Sequence, residues 1–358
     1  MSSSHSRAVV AMSGGVDSSV AAALLKQQGY DVIGMMLRLW SEPGSEAVNR
    51  CCTPDAMALA RRVAARLSIP FYAVDAQQVF RDRVVQYFLD GYLQGENPNP
   101  CLVCNRYVRW GYLLKHALAV GADFMATGHY ARLHEDEQGR IQLLKGVDVQ
   151  KDQSYVLSVL NQEQLTHTIF PLGDYTKPQV RQLARQFDLP VAERADSQDL
   201  CFLGNDDYRS FLIRYAPQVV KPGLIETRDG RQLGQHRGLA FYTIGQRKGL
   251  GLASSAPLYV LNKDTERNVL VVGRVEELGK SELFGRQVHW VSGETPSAPM
   301  RAGIKIRYKA VEAYGIITPL EVGRVHIYFD EPLRDITAGQ GVVFYQGEVC
   351  LGNAIITD

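Results

Sequence analysis

The chain reads as an α/β domain built on a parallel sheet, followed by a small central domain and a C-terminal antiparallel β-barrel. Three observations predict this. Short β-rich runs alternate with helical patterns through about residue 205, a Ser/Gly loop lies directly between the first strand and the first helix, and after about Asp206 the texture changes. There Gly, Thr and Val rise, and short alternating strands replace the long helices. Strands alternating with helices imply a parallel sheet covered on both faces, and closely spaced short strands imply a barrel or a sandwich.

Residues 8–12 and 31–39 are the first expected strands, with a helix over 16–28 between them that Gly29 closes. Thr53-Pro54 opens an Ala/Arg/Leu-rich helix ending near Leu67, and 71–74 follows as a buried strand. A further helix runs through Leu93, another covers 102–118, and 124–127 is a strand. In the second half the clearest strands are 258–261, 268–272, 303–309, 324–329 and 341–345. The expected units are 1–205, 206–275 and 276–358.

A chain of 358 residues is too long for one ordinary core. With 46% hydrophobic and 22% charged residues it is expected to be globular. No window approaches the roughly 18 uninterrupted apolar residues of a membrane span. The opening MSSSHSRAVVAM has no long apolar stretch or cleavage site, so a cytoplasmic location is expected. In that compartment the six cysteines read as reduced thiols, catalytic groups or metal ligands before structural disulfides. A net charge of +1 exerts no global pull on nucleic acid, so RNA binding must rest on local patches.

Ser13-Gly14-Gly15-Val16-Asp17-Ser18-Ser19 joins the first strand to the first helix. Its glycines let the backbone turn and approach a ligand, and the helix start offers free N–H groups and a positive dipole end to phosphate oxygens. Ser13, Ser18 and Ser19 add hydroxyl donors, and Asp17 is the expected holder of an accompanying Mg2+. The loop lacks the Lys of a Walker A motif. That favours a pyrophosphate leaving group over γ-phosphate transfer.

Cys101 and Cys104 form a Cys-x-x-Cys within residues 97–105, at a loop-to-helix junction where a helix start favours the thiolate. Cys201 lies in Asp196-Ser197-Gln198-Asp199-Leu200-Cys201-Phe202. No second Cys pair or Cys-His pair follows at zinc spacing, so structural zinc is the weaker reading. Cys51, Cys52 and Cys350 read as small buried hydrophobes.

The loop after the first strand resembles the PP-loop of the ATP pyrophosphatase superfamily, which implies an adenine nucleotide alpha hydrolase-like fold and ATP cleaved to AMP and pyrophosphate. The loop, residues 97–105, Ala126-Thr127-Gly128-His129-Tyr130, Lys151-Asp152-Gln153-Ser154-Tyr155, residues 197–202 and residues 245–251 together resemble the tRNA-uridine 2-sulfurtransferases over nearly the whole length. That resemblance implies ATP-dependent conversion of a wobble uridine to 2-thiouridine. On matching positions it makes Cys104 the residue acting with the sulfur donor and Cys201 the persulfide bearer. Ala11, Met12, Ser13, Gly14, Gly15, Val16, Asp17, Ser18, Leu37 and Gly128 would line the ATP site. Asn99, Pro100, Cys101, His129, Lys151, Asp152, Gln153, Arg307, Tyr308 and Gln340 would face the tRNA. Read without its motif, His129 is a hydrogen-bonded residue closing a strand. A cysteine desulfurase, directly or through relay proteins, is the implied sulfur donor.

The chemistry has a physical logic. Uridine O2 is a poor leaving group, so adenylation must precede attack of sulfur on C2. Either a persulfide on Cys201 delivers the sulfur and Cys104 resolves the resulting disulfide, or a bound sulfide attacks. Many relatives carry Asp at the position of Cys101, where the resemblance implies a catalytic acid/base role that a thiol fills only with a suitably lowered pKa. With Cys there, Cys101, Cys104 and Cys201 could instead hold a 4Fe-4S cluster whose fourth iron is open to sulfur. Arg228, Arg231, Arg237, Arg247 and Lys248 suit a phosphate-tracking loop, and Lys305, Arg307 and Lys309 would share one face of a strand. Competing readings are a PP-loop ligase acting on a small carboxylate or ureido group, which would not need the thiols, and an idle RNA-binding relative, which would not need an intact loop.

Overall fold

The computed structural model describes residues 6–42, 53–195, 200–204 and 206–357. Cys51, Cys52 and residues 196–199 of the Cys201 motif lie outside them.

The first sheet takes β1 (Arg7–Ala11), β2 (Asp31–Arg38), β3 (Phe71–Asp75), β4 (Phe124–Thr127) and, after β5 (Ala131–Glu135) and β6 (Ile141–Lys145), β7 (Thr168–Ile169). Its order is β3-β2-β1-β4-β7, parallel throughout. The central strand β1 buries Ala8, Val9 and Val10 completely, as an apolar run covered on both faces should. Helix α1 (Val16–Gln27) is buried from Ser18 to Leu25 and ends before Gly29, whose φ is +89°. Helix α2 (Pro54–Arg66) starts as expected: Thr53 Oγ1 accepts from Ala56 N at 3.0 Å, with Pro at the first turn. The strand expected to be buried at 71–74 is instead the edge strand β3, with Tyr72 54% exposed.

The helix expected over 102–118 runs from Pro100 to Ala119, and its middle, Cys104–Leu113, has wider π-helical turns. Such turns bulge where side chains must be re-aimed, often at functional sites. Cys104 opens this segment.

The central sheet holds β8 (Gly223–Thr227), β9 (Gln232–His236), β10 (Tyr259–Asp264) and β11 (Val269–Gly273) in the order β10-β11-β8-β9. The last sheet comprises β12 (Lys280–Trp290), β13 (Met300–Lys305), β14 (Ala313–Leu320), β15 (Arg324–Leu333), β16 (Gly341–Gln346) and β17 (Val349–Thr357). β12 pairs with both β15 and β17, closing the ring β12-β15-β14-β13-β16-β17 into an antiparallel barrel. Leu283, Ile304, Ile317, Ile327, Phe329, Val342, Phe344 and Ile356 fill it. Closure removes the sheet edges a sandwich would leave.

The hairpin β5–β6 belongs in sequence to the first unit, yet β6 pairs with β17 through Leu144↔Val349 and Leu143↔Cys350. It thus extends the barrel sheet and fixes the barrel against the α/β unit. The expected strand over 303–309 stops at Lys305, and Arg307 and Lys309 fall in the turn that follows. The three cations therefore do not share a strand face. Lys305 points inward instead, with its Nζ 3.7 Å from the buried Asp152 carboxylate and 5.5 Å from the centre of the Tyr345 ring, over which Lys145 Nζ also lies at 4.4 Å.

Candidate functional site

Ala11, Leu37 and Gly128 sit at or just beyond the C-terminal ends of β1, β2 and β4, and residues 13–18 turn from β1 into α1 between them. Ligands of open α/β sheets bind at this edge. Gly14 has φ +69°, and a Cβ there would lie 2.3 Å from Ala56 O, so only glycine fits. Gly128 approaches the helix start so closely that a Cβ would be 2.6 Å from Ser18 N. Met12 N donates to Met35 O at 2.7 Å, tying the loop to β2.

The serines do more within the loop than was expected. Ser18 Oγ accepts from Ser13 N at 3.1 Å and lies 3.2 Å from Ser13 Oγ, while Ser19 Oγ donates to Gly15 O at 2.7 Å. They hold the turn's shape. Asp17 differs from expectation as well: its carboxylate receives Lys177 Nζ at 2.7 and 2.9 Å and the Tyr130 hydroxyl at 2.9 Å. A carboxylate engaged this way does not fit the part of a ready Mg2+ ligand. Mg2+ prefers octahedral oxygen ligands and takes many of them from substrate phosphates.

Neither Lys177 nor Arg194 stood out in the sequence. Lys177 opens the helix Lys177–Gln186, where its own N–H donates to Asp148 Oδ2 at 2.8 Å. Arg194 Nη1 donates to Gly14 O at 2.7 Å.

Cys104 and Cys201, distant in sequence, both pack half-buried against one apolar cluster that includes Phe80, Phe88, Phe202 and Phe211. Leu37 packs against the same cluster. Cys101 is exposed and lies within electrostatic reach of Tyr155 and Tyr308. Among the described residues no group of three His, Cys, Asp or Glu side chains is placed to hold a metal, and all three thiols are among those residues. The expected three-thiol cluster thus finds no support in the arrangement of these side chains. Nor does a disulfide join Cys101, Cys104, Cys201 or Cys350 to one another. Cys350 is fully buried, which pushes its thiol far up and leaves it inert.

The expected tRNA-facing residues divide into two groups. Asn99, Pro100, Cys101, Arg307, Tyr308 and Gln340 gather where the helix start at Pro100 meets the barrel. Asn99 Oδ1 caps that helix at Cys101 N, 3.1 Å away. Tyr155 donates to Gly341 O at 2.9 Å and meets the Tyr308 ring edge-on at 6.0 Å, while burial pushes the Tyr308 phenol up to about 12. Arg307 is paired with Asp335. Gln340 Nε2 donates to Asn97 O at 2.6 Å. Asn97 was passed over in the sequence, yet it is a buried hub. It bonds Ala338 from the barrel and Thr243 and Lys263 from the central sheet's unit. All parts of the chain therefore clamp the loop that presents Cys101 and Cys104.

The second group is turned inward. Asp152 accepts from Gly146 N, Ser154 N and Ser154 Oγ and lies beside Lys305, so it joins barrel to α/β unit. Gln153 holds Tyr130 by two bonds: its Oε1 accepts from Tyr130 N at 3.0 Å and its own N–H donates to Tyr130 O at 2.9 Å. Lys151 is half-buried, and its N–H donates to Asp148 O at 3.0 Å. His129 is 6% exposed beneath Trp110 and Phe170. Its Nε2 meets Arg109 Nη1 at 2.9 Å and its Nδ1 meets Thr127 Oγ1 at 2.7 Å. Since Arg only donates, Nε2 must accept and Nδ1 carries the proton. Its place in this structure is that of the hydrogen-bonded residue closing a strand, not of an exposed contact.

Burial and then the Arg109 charge hold the His129 imidazole well below its usual range. Its contribution to stability is therefore full above the unfolded value of about 6.5 and is lost as pH falls from there toward the folded value, because the unfolded chain takes up the proton first. His129→Gln is expected to flatten part of the stability decline below pH ~6.5. Urea unfolding of both proteins across pH 5–8 checks it; an unchanged slope would show that the ring is not held neutral.

The exposed cations Arg228, Arg231, Arg237, Arg247 and Lys248 line the outer loops of the central unit, and of these Arg231 lies within electrostatic reach of Asp229.

Comparison with known proteins follows this layout. Family models match in succession: a tRNA methyl transferase HUP domain over residues 6–205, a tRNA methyl transferase PRC-barrel domain over 209–274 and an aminomethyltransferase beta-barrel domain over 280–356. The tRNA-specific 2-thiouridylase of Moorella thermoacetica is 50% identical over 97% of this chain and 98% of its own. One from Caldanaerobacter subterraneus subsp. tengcongensis is 48% identical over 98% of each, and that of Clostridium perfringens is 44% identical over 98% of each. With a parallel-sheet unit, a small central unit and a closed barrel in the same order, and half its residues shared end to end with such a relative, the chain belongs to the tRNA-specific 2-thiouridylase family.

Proposed function

We propose that this protein replaces O2 of a tRNA wobble uridine with sulfur at the expense of ATP. One observation carries the reading: Cys104, Cys201 and Leu37, one residue before the end of the strand that pairs with β1, pack against a single apolar cluster. Activation and sulfur delivery thus meet in one place.

In the first step uridine O2 attacks the α-phosphorus. An O2–P bond forms, the bond from that phosphorus to the oxygen bridging the β-phosphate breaks, pyrophosphate leaves with the electron pair, and the N3 proton is released. A sulfur nucleophile then attacks C2, and AMP departs with O2. The loop's N–H groups and the α1 dipole stabilise the anionic phosphates. Residues 13–18 with Leu37 and Gly128 form the ATP site, and any Mg2+ rides chiefly on phosphate oxygens. Cys201 carries the sulfur as a persulfide received from a desulfurase or relay protein; its outer sulfur bonds to C2, Cys104 then attacks Cys201 Sγ and breaks the S–S bond, leaving the sulfur on C2, and a thiol reductant reopens the Cys104–Cys201 disulfide that forms. The apolar surroundings keep water from the persulfide.

Asn99, Cys101, Arg307, Tyr308 and Gln340 receive the flipped uridine and its neighbours. The exposed cations of the central unit hold the phosphate backbone. This division of labour accords with units parting near residues 205 and 275. Among the described residues no helix is long and apolar enough to cross a membrane, in keeping with work on cytoplasmic tRNA.

The matched domain descriptions speak of methyl transfer and the relatives' names of thiolation. The thiols favour the second. Incubation with ATP, sulfide and unmodified tRNA, followed by nucleoside mass spectrometry, separates them: 2-thiouridine is expected, and a methylated nucleoside without it would overturn the proposal. Reversing Arg247 and Lys248 to Glu is expected to weaken tRNA binding and lower the salt slope by roughly 2. Filter binding from 50 to 200 mM salt checks this, and an unchanged slope would remove that loop from the interface.

A further inference from the structure

We propose that Arg194 is the pyrophosphate-binding cation of the nucleotide loop, performing from the far end of the unit the task a loop lysine performs in Walker A proteins. This rests on the ATP reading above and names a residue that no sequence motif pointed to.

Charge placement is what leads to it. Asp17 lies in the first turn of α1, and both its carboxylate oxygens are met by Lys177, so that pair adds no net charge at the helix start. Arg194 is different. Its Nη1 is 2.7 Å from Gly14 O, a neutral carbonyl, and among the described residues no carboxylate pairs with it. A guanidinium is thereby held beside the positive end of a buried helix. Two positive features repel each other unless an anion lies between them, and the guanidinium retains further N–H donors for it.

The scaffold around Arg194 is arranged to keep it there. Arg181 Nη1 donates to the carbonyls of Ala192 and Arg194, each at 3.1 Å, and Arg194 N donates to Val191 O at 2.9 Å. Val191 is itself buried in the core under α1. Gly14, the partner, cannot move aside, because its φ of +69° and its contact with Ala56 fix the turn. The side chain is thus aimed from a rigid turn at a rigid loop.

During adenylation the bond from the α-phosphorus to the bridging oxygen breaks and the electron pair stays with pyrophosphate. Charge grows on the β-phosphate side, where a fork of N–H donors binds oxygen pairs well. On this reading Arg194 acts on the phosphates that leave as pyrophosphate and not on AMP.

Calorimetry with the full-length protein tests this with ATP, inorganic pyrophosphate and AMP as separate ligands. Arg194→Gln is expected to weaken pyrophosphate and ATP roughly tenfold and to leave AMP within about twofold. Arg194→Lys, which keeps the charge without the fork, is expected to lose less and guards against a folding defect in the first variant. Equal loss for AMP and pyrophosphate would make Arg194 a support for Gly14 alone and overturn the proposal, as would no change for any ligand. A wild-type protein that binds neither ATP nor pyrophosphate would instead overturn the ATP reading of the loop.

Discussion

Cys104→Ser and Cys201→Ser are each expected to lower 2-thiouridine formation on the order of a thousandfold or more while leaving ATP affinity within about twofold. A serine hydroxyl cannot carry a persulfide or attack one as a thiolate does. Neither thiol belongs to the strand-end loops around the nucleotide, so the ATP site should survive the change. Cys101→Ser is expected to cost far less, about tenfold at most, because Cys101 is exposed and faces Tyr155 and Tyr308 instead of the apolar cluster that Cys104 and Cys201 share. Quantitative nucleoside analysis of tRNA treated with each variant checks the order. If Cys101→Ser proves as damaging as the other two, the sulfur chemistry takes place at the helix start and not against the cluster.

Gly14→Ala is expected to lower ATP affinity by roughly a hundredfold and to destabilise the protein by about 1–3 kcal/mol. The added Cβ would stand 2.3 Å from Ala56 O, and φ at Gly14 is +69°. Ala56 cannot withdraw, since its N–H is held by Thr53 Oγ1 at the capped start of α2. Gly15→Ala supplies the control. Its φ is −93°, and its Cβ would meet only the Ser13 hydroxyl at 3.3 Å, a contact that a small shift relieves. Nucleotide titration and urea unfolding of both variants check the contrast. Equal effects would mean that the loop is not shaped by its packing on α2.

Much of the fold could be read from local pattern. The strand–loop–helix start, the Thr53-Pro54 cap and the parallel order of β1 and β2 follow from apolar runs, turn residues and capping chemistry that lie within a few residues of one another. The hairpin β5–β6 was missed, although Leu133, Leu143 and Ala131 alternate with polar residues in the manner of strands. Its pairing with β17 joins residues some two hundred positions apart, and no local signal reports such a partner.

The site was legible to the same extent. Motif residues came together at the strand ends, but their side chains point in directions that motifs do not encode. Asp152 and His129 turn inward because each satisfies buried partners, Gly146 and Ser154 N–H for one, Arg109 and Thr127 for the other. Lys305 leaves the expected basic face because the strand ends there and Asp152 lies beneath it. Lys177 and Arg194 were invisible for the opposite reason: single cations in ordinary helix and turn contexts gain meaning only when folding sets them against Asp17 and Gly14.

Following isotopically labelled ATP through a single round of tRNA thiolation measures the proposed chemistry most directly. One AMP and one pyrophosphate released for each 2-thiouridine formed is the result expected of a loop that activates uridine through the α-phosphorus. Release of ADP and phosphate instead, or 2-thiouridine formed without ATP cleavage, would contradict it.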